Sequence, residues 1–289
     1  MTTTRKIKSI FAAVSTIEGA GVHLKRAFGF SQVPQLDPFL MLDDFHTSDP
    51  AHYLAGFPWH PHRGIETITY ILEGVVEHGD SMGNSGTIGA GDVQWMTAGS
   101  GIIHQEMPQT SPTGTMWGFQ LWANLPASQK MMPPRYRDVK AADIPVVTLE
   151  NGVTAKVISG VVGGVQGPVR DIVIDPLLLD ITVPPDTDVI LPVTDGYTVL
   201  VYVLAGTARC GDQQGELMVP EHAMLYEHDG DQVHITTADH AVRFLLLSGK
   251  PLNEPVAWRG PIVMNSQEEL RTAFDDYQRG TFVKPSSTS

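Results

Sequence analysis

The sequence predicts an all-β chain: two tandem antiparallel β-barrels of jelly-roll type with a few short peripheral helices. Three observations carry this expectation. Val, Ile, Thr and aromatic runs are punctuated by 28 Gly and 21 Pro, which favours many short strands and turns over long helices. An internal repeat is visible, because TITYILEGVVEHGD (67–80) is echoed by TVLVYVLAGTARCGD (198–212). Each copy continues through an apolar strand (GDVQWM, HAMLYEH) and a turn (AGSG, HDGD) to a histidine, His104 or His234. Finally, the polar, Pro-containing stretch LPASQKMMPPRYRDVKAADIP (125–145) reads as the passage between two domains, 1–140 and 141–289.

Helix is expected once with clear signals, in NSQEELRTAFDDYQRG. Ser266 and Glu269 form a capping box, Leu270, Ala273, Phe274 and Tyr277 an apolar stripe, and Gly280 a terminator. Such a helix packs on the outside of a barrel.

Composition narrows the function. Of 289 residues, 42% are hydrophobic and 18% charged, as in a soluble globular protein. A net charge of -13, from 32 acidic and 19 basic residues, excludes direct nucleic-acid binding through a basic face. Cys210 is the single cysteine, which excludes an intramolecular disulfide and a thiolate metal cluster and reads as a reduced thiol on a strand. The run IFAAV is too short for a signal-peptide core, and no stretch reaches the ~20 apolar residues of a membrane helix. A cytoplasmic monomer is expected, or a nuclear one in a eukaryotic host.

The chemistry concentrates in FPWHPHRGIETITYILEG (57–74). Side chains alternate across a strand, so the even residues His60, His62 and Glu66 are expected on one face, continued inward by Ile68, Tyr70 and Leu72. In GDVQWMTAGSGIIHQEMP, Ile102, His104 and Glu106 share parity in the same way. Three imidazoles and a carboxylate suit a divalent first-row metal, and four ligands on an octahedral ion leave two positions for substrate or dioxygen. Aligning Gly74 with Gly206 puts Pro192 and Thr194 where the first copy has His60 and His62, and Thr236 where it has Glu106. The second copy therefore lacks the ligand set. His222, His228, His234 and His240 flank the 229–231 turn and read as mostly exposed, and Asp43-Asp44 reads as a solvated turn or cap.

The segments HPHRGIETITYILEG, TAGSGIIHQE, FQLWANLP and LDPFLMLDDF, with EPVAWRGPIVMNSQEELRTAF near the end, resemble the pirin family of the cupin superfamily over nearly the whole chain. The resemblance implies Fe(II), or another divalent first-row metal, held by His60, His62, His104 and Glu106, with Glu66 beside the pocket. It implies quercetin 2,3-dioxygenase activity, in which a flavonol ring is opened with dioxygen and carbon monoxide is released. Glu106, or else Glu66, would be the base, Glu106 being favoured as a metal ligand. Phe57, Trp59, Met107 and Trp122, near the ligands in sequence, are expected to sandwich the planar substrate, and Gln120, polar within WGFQLW, to face it. The alternative implied by the same resemblance is an iron-dependent, redox-sensitive regulator that binds a protein partner.

Overall fold

The computed structural model describes residues 2–33 and 35–284, and its strands assemble into two compact units. Neither unit is one of the contiguous halves 1–140 and 141–289. Residues up to Val14, Leu36–Pro38 and Ala142–Pro251 form one, and Ser15–Gln35, Phe39–Ala141 and the segment from Leu252 onward the other. An exposed sheet edge explains the exchange at the N-terminus, since an edge strand presents unpaired backbone groups. In the later unit, Ile7–Ala12 pairs with His222–Tyr226, the place taken in the earlier unit by Arg135–Val139 on Val93–Thr97. No composition signal marks that borrowing.

Each unit is a jelly-roll of two facing sheets, seven-stranded and four-stranded, and the barrels are open rather than closed by hydrogen bonds. In the earlier unit the large sheet runs Arg135–Val139, Val93–Thr97, Ile65–Glu73, Met116–Asn124, Phe39–Thr47, Val22–Phe28, Val14–Glu18. The small one runs Phe57–His62, Ile102–Gln109, Val75–Asp80, Ser85–Ile88. The other unit repeats the small-sheet order with Asp188–Pro192, Gln232–Thr236, Ala208–Cys210 and Glu216–Met218, as the internal repeat requires.

Register corrects the repeat. With Gly74 matched to Gly206, Cys210 takes the place of His78. His78 pairs with Glu106 and Cys210 with Ile235, so Ile235 stands for Glu106, Val233 for His104 and, opposite Val233, Leu191 for His60, all three buried in the apolar interior. The later unit's interior is a continuous apolar cluster including Val157, Val201, Met224, Val233 and Leu246. Cys210 packs against it, 2.9 Å from the Tyr226 hydroxyl, and burial pushes its thiol up to about 11. It is a structural thiol.

The helix forms as its signals predict. Gln267–Gln278 starts at Ser266, whose Oγ accepts from the Glu269 amide while Glu269 Oε2 accepts from the Ser266 amide. Leu270 and Ala273 are buried, whereas Tyr277 at the stripe's edge is exposed. The segment from Leu252 docks on the earlier unit beside His62. Arg63, next to His62, donates to Asp276 Oδ2 (2.9 Å) and the Phe282 carbonyl (3.0 Å). Close approach at that point demands glycine, because a Cβ on Gly64 (φ +80°) would lie 2.0 Å from the Val263 carbonyl oxygen.

Candidate metal centre and cavity

Phe57–His62 is an edge strand, which tolerates the missing donors of Pro58 and Pro61. Two carbonyls set its histidines. His60 Nδ1 lies 2.8 Å from the Pro58 oxygen, and His62 Nδ1 lies 3.0 Å from the Pro261 oxygen. A carbonyl only accepts, so each Nδ1 carries the ring proton and each Nε2 a lone pair. Those two Nε2 atoms lie 3.1 Å apart. Two lone pairs at that distance repel, and a cation shared between them removes the conflict.

His104 completes the group from the neighbouring strand, and one nitrogen from each of the three rings lies within 4.8 Å of the others. Its side chain is buried, and neither ring nitrogen has a hydrogen-bond partner. Burial, reinforced by the adjacent imidazoles, holds His62 and His104 well below the usual histidine range. They stand neutral at pH 7, the form that binds metal. Orphaned buried nitrogens and facing lone pairs both fit a divalent ion.

Glu106 follows His104 on the inward face of Ile102–Gln109, where burial alternates as expected. It lies outside the three-histidine group, with Oε1 accepting from Thr69 Oγ1 at 2.7 Å. A bulge between His104 and Glu106 brings Phe57 opposite Glu106, and thereby into the cavity.

The expected common face of His60, His62 and Glu66 does not exist. The chain turns at Arg63–Gly64 and enters the other sheet, and strand parity does not carry across a turn. Glu66 lies opposite Thr97, on the face away from Thr69, and accepts from Trp95 Nε1 (3.0 Å) and Thr97 Oγ1 (2.7 Å). Burial raises its carboxyl above the ordinary value. It does not line the cavity.

The odd face of Ile65–Glu73 faces the site instead. Gln94, Thr69, Gln120, Asp43 and Arg26 are successive cross-strand partners, forming a polar row over five strands of the large sheet. Glu106 meets this row at Thr69, and His78 meets it at Gln94. Asp43 is therefore no solvated turn. It is a buried strand residue gripped by Arg26 (Nε to Oδ1 and Nη2 to Oδ2, both 2.8 Å), and Arg26 also reaches Glu18 Oε1 at 3.0 Å.

A cavity of about 690 Å³ opens over His60, His62 and Glu106. Phe57, Gln120 and Trp122 line it as expected, with Met41, Phe45 and Trp258 among the apolar walls. Trp59 and Met107 do not. Both are odd-numbered on strands whose even residues face inward, and Trp59 is 53% exposed.

His78 was missed. It lies opposite Glu106 on Val75–Asp80, with its ring 5.5 Å from that of His104. Gln94 Nε2 donates to its Nδ1 (2.8 Å), which leaves Nε2–H for Asp80 Oδ2 (3.3 Å), while Tyr136 stacks on it. Thr69, Gln94 and Asp43 stand out as polar residues within apolar strands, whereas His78, in VVEHGD, has no such contrast with its neighbours. Among the described residues, His222, His228, His234 and His240 form no ligand cluster, and His234 pairs with Asp188.

Comparisons agree with this geometry. The Pirin family pattern matches residues 21–123, and the Pirin C-terminal cupin domain pattern matches residues 178–283. A pirin-like protein of Caulobacter vibrioides is 43% identical over 96% of this chain and 99% of its own. A Pseudomonas aeruginosa protein that bears the provisional name quercetin 2,3-dioxygenase is 41% identical over 98% of this chain and all of its own. The crystal structure of quercetin 2,3-dioxygenase from Acinetobacter baumannii is 33% identical and covers 97% of this chain and 99% of its own, with a TM-score of 0.89. With two cupin-type units, one carrying a histidine triad beneath an apolar cavity, and with matching sequence along both, the chain belongs to the pirin family.

Proposed function

We propose that the protein is a metal-dependent dioxygenase that opens the central ring of a flavonol with dioxygen and releases carbon monoxide. The observation that carries this reading is the pair of facing His60 and His62 lone pairs, with orphaned His104 beside them, at the base of a largely apolar cavity. His60, His62 and His104 would hold the ion, with Glu106 as fourth donor and Fe(II) as the proposed metal. When bound, the ion supplies Lewis-acid polarisation of a substrate hydroxyl and a template for dioxygen.

The chain's own residues supply the rest. Thr69 holds Glu106 by Oε1, and Oε2 accepts no hydrogen bond among the described residues, so this oxygen can receive the hydroxyl proton. Phe57, Met41, Phe45 and Trp122 provide flat, apolar walls that exclude water from the reacting ring. Homologues named as quercetin dioxygenases support the substrate class. A protein-binding regulator would need no deep cavity, and the size of this one favours the enzyme.

The test is carbon monoxide release from quercetin by protein loaded anaerobically with Fe(II) and then exposed to dioxygen, beside His62→Ala. Release that is lost in the variant supports the reading. Absence of release from protein holding one iron would overturn it and favour the regulator.

A further inference from the structure

The polar row beneath the cavity contains a proton count that does not balance as drawn. Thr69 Oγ1 lies 2.7 Å from Glu106 Oε1 and 2.8 Å from Gln120 Oε1, yet the hydroxyl has one hydrogen. An ionised Glu106 takes that hydrogen, because a charge-assisted bond is the stronger of the two. Gln120 must then turn its amide and donate Nε2–H to Thr69 Oγ1, an exchange of O and N that leaves the side-chain shape unchanged. The chain of donors runs Gln120 to Thr69 to Glu106. Its consequence is that the Gln120 carbonyl oxygen, not its NH2, is the terminal atom left without a protein partner in the cavity wall.

The remaining polar groups of the wall point the same way. Arg26 is the only Lys or Arg lining the cavity among the described residues, and its guanidinium is taken by Asp43 on two sides and by Glu18 on a third. The pairing with Asp43 raises that guanidinium above its ordinary value. Among the protein's own groups, a carboxylate or phosphate on the substrate would meet Glu18, Asp43 and Glu106 and no uncommitted Lys or Arg. A neutral molecule bearing hydroxyl donors meets acceptors.

We infer that Gln120, oriented by Thr69, is a specificity-determining residue. It reads a hydroxyl on a neutral aromatic substrate through its carbonyl oxygen, and the cavity rejects anionic ring systems. This deepens the dioxygenase reading and rests on it for the substrate class, while the hydroxyl preference itself needs neither metal nor turnover.

The test is a binding comparison on the full-length, metal-free protein, using 2-naphthol and 2-methoxynaphthalene as paired probes that differ only in the donor, and 2-naphthoate as the anion. Wild type is expected to prefer the naphthol to the ether by about tenfold or more, since a site built to bond a hydroxyl discriminates against an analogue lacking it. Gln120→Leu should bring that ratio close to one by weakening the naphthol alone. Thr69→Val, which releases the amide, should reduce the ratio while leaving the ether's affinity unchanged, and 2-naphthoate should bind more weakly than the naphthol throughout. A wild-type ratio near one, a Gln120→Leu ratio equal to wild type, or an equal loss for both neutral probes would overturn the assignment. Quercetin turnover on the same proteins separates the two ideas: a preserved hydroxyl preference without carbon monoxide release defeats the dioxygenase reading and leaves the role of Gln120 standing.

Discussion

His60 Nε2 and His62 Nε2 face each other at 3.1 Å, each with its proton committed to a backbone carbonyl on the far side of the ring. The arrangement has a pH signature in the metal-free protein. Burial holds His62 and His104 well below 6.5, the value they regain when unfolded. Below pH 6.5 the unfolded chain therefore binds protons that the folded chain refuses, and stability falls with acid, by about 1.4 kcal/mol per pH unit per group. Above pH 6.5 the contribution is complete and flat. Urea unfolding of metal-free protein at pH 7.5 and 5.5 should show this loss, and His104→Asn should reduce it. Equal stability at both pH values would contradict the neutral assignment.

The two glutamates should separate cleanly. Glu66→Gln turns an NH2 toward one of two donors, Trp95 or Thr97, in a buried site, and should cost about 1–3 kcal/mol while leaving metal stoichiometry unchanged. Glu106→Gln should do the reverse, retaining stability to within about 1 kcal/mol and weakening metal binding about 10-fold or more. Denaturant midpoints and metal titrations on both variants check this, and a loss of metal confined to Glu66→Gln would restore that residue to the site.

The C-terminal segment should act on the metal centre from outside. Asp276 anchors buried Arg63, whose guanidinium also sits 4.3 Å from the Phe282 ring, and the Pro261 carbonyl sets the His62 tautomer. Asp276→Ala removes the carboxylate partner of a buried cation. It should cost about 2 kcal/mol, below the full buried-pair figure because Asp276 is partly exposed, and should weaken metal binding several-fold. Chemical denaturation with a metal titration measures both; unchanged metal affinity would show that the clamp is purely structural.

His78 holds the other side of His104. Replacing it by Leu leaves Asp80 and Gln94 without their shared partner and should destabilise the chain by about 2–3 kcal/mol. His78→Asn, with a smaller polar side chain, should restore part of the stability but not the ring packing. In both variants, metal affinity should fall about 10-fold as His104 loses its wall. Wild-type affinity in His78→Asn would deny it a positioning role.

Much of the site was legible in the sequence because a single strand obeys parity. His60 with His62, and His104 with Glu106, each lie within one strand, and each pair turns inward. Glu66 was misplaced because the same rule was carried through Gly64, where the chain leaves one sheet for the other. Met107 and Trp59 were named from nearness to the ligands in sequence, which takes no account of parity, and both lie outside the cavity lining. The row from Gln94 to Arg26 joins five strands distant in sequence, so only register assembles it; its members showed singly as polar residues in apolar runs. The duplicated fold was visible as a repeat. The borrowed strand Ile7–Ala12 was not, because edge pairing answers a geometric vacancy rather than a local pattern.

The most direct test of the account is a titration of metal-free protein with Co(II), reading the visible absorption that reports coordination alongside the number of ions bound. The account predicts one tightly held ion per chain, with the spectrum changed and the affinity lowered about 100-fold or more by His60→Ala, His62→Ala or His104→Ala, and neither changed by His234→Ala in the second unit. No stoichiometric ion, or a spectrum indifferent to the first three substitutions, would contradict it.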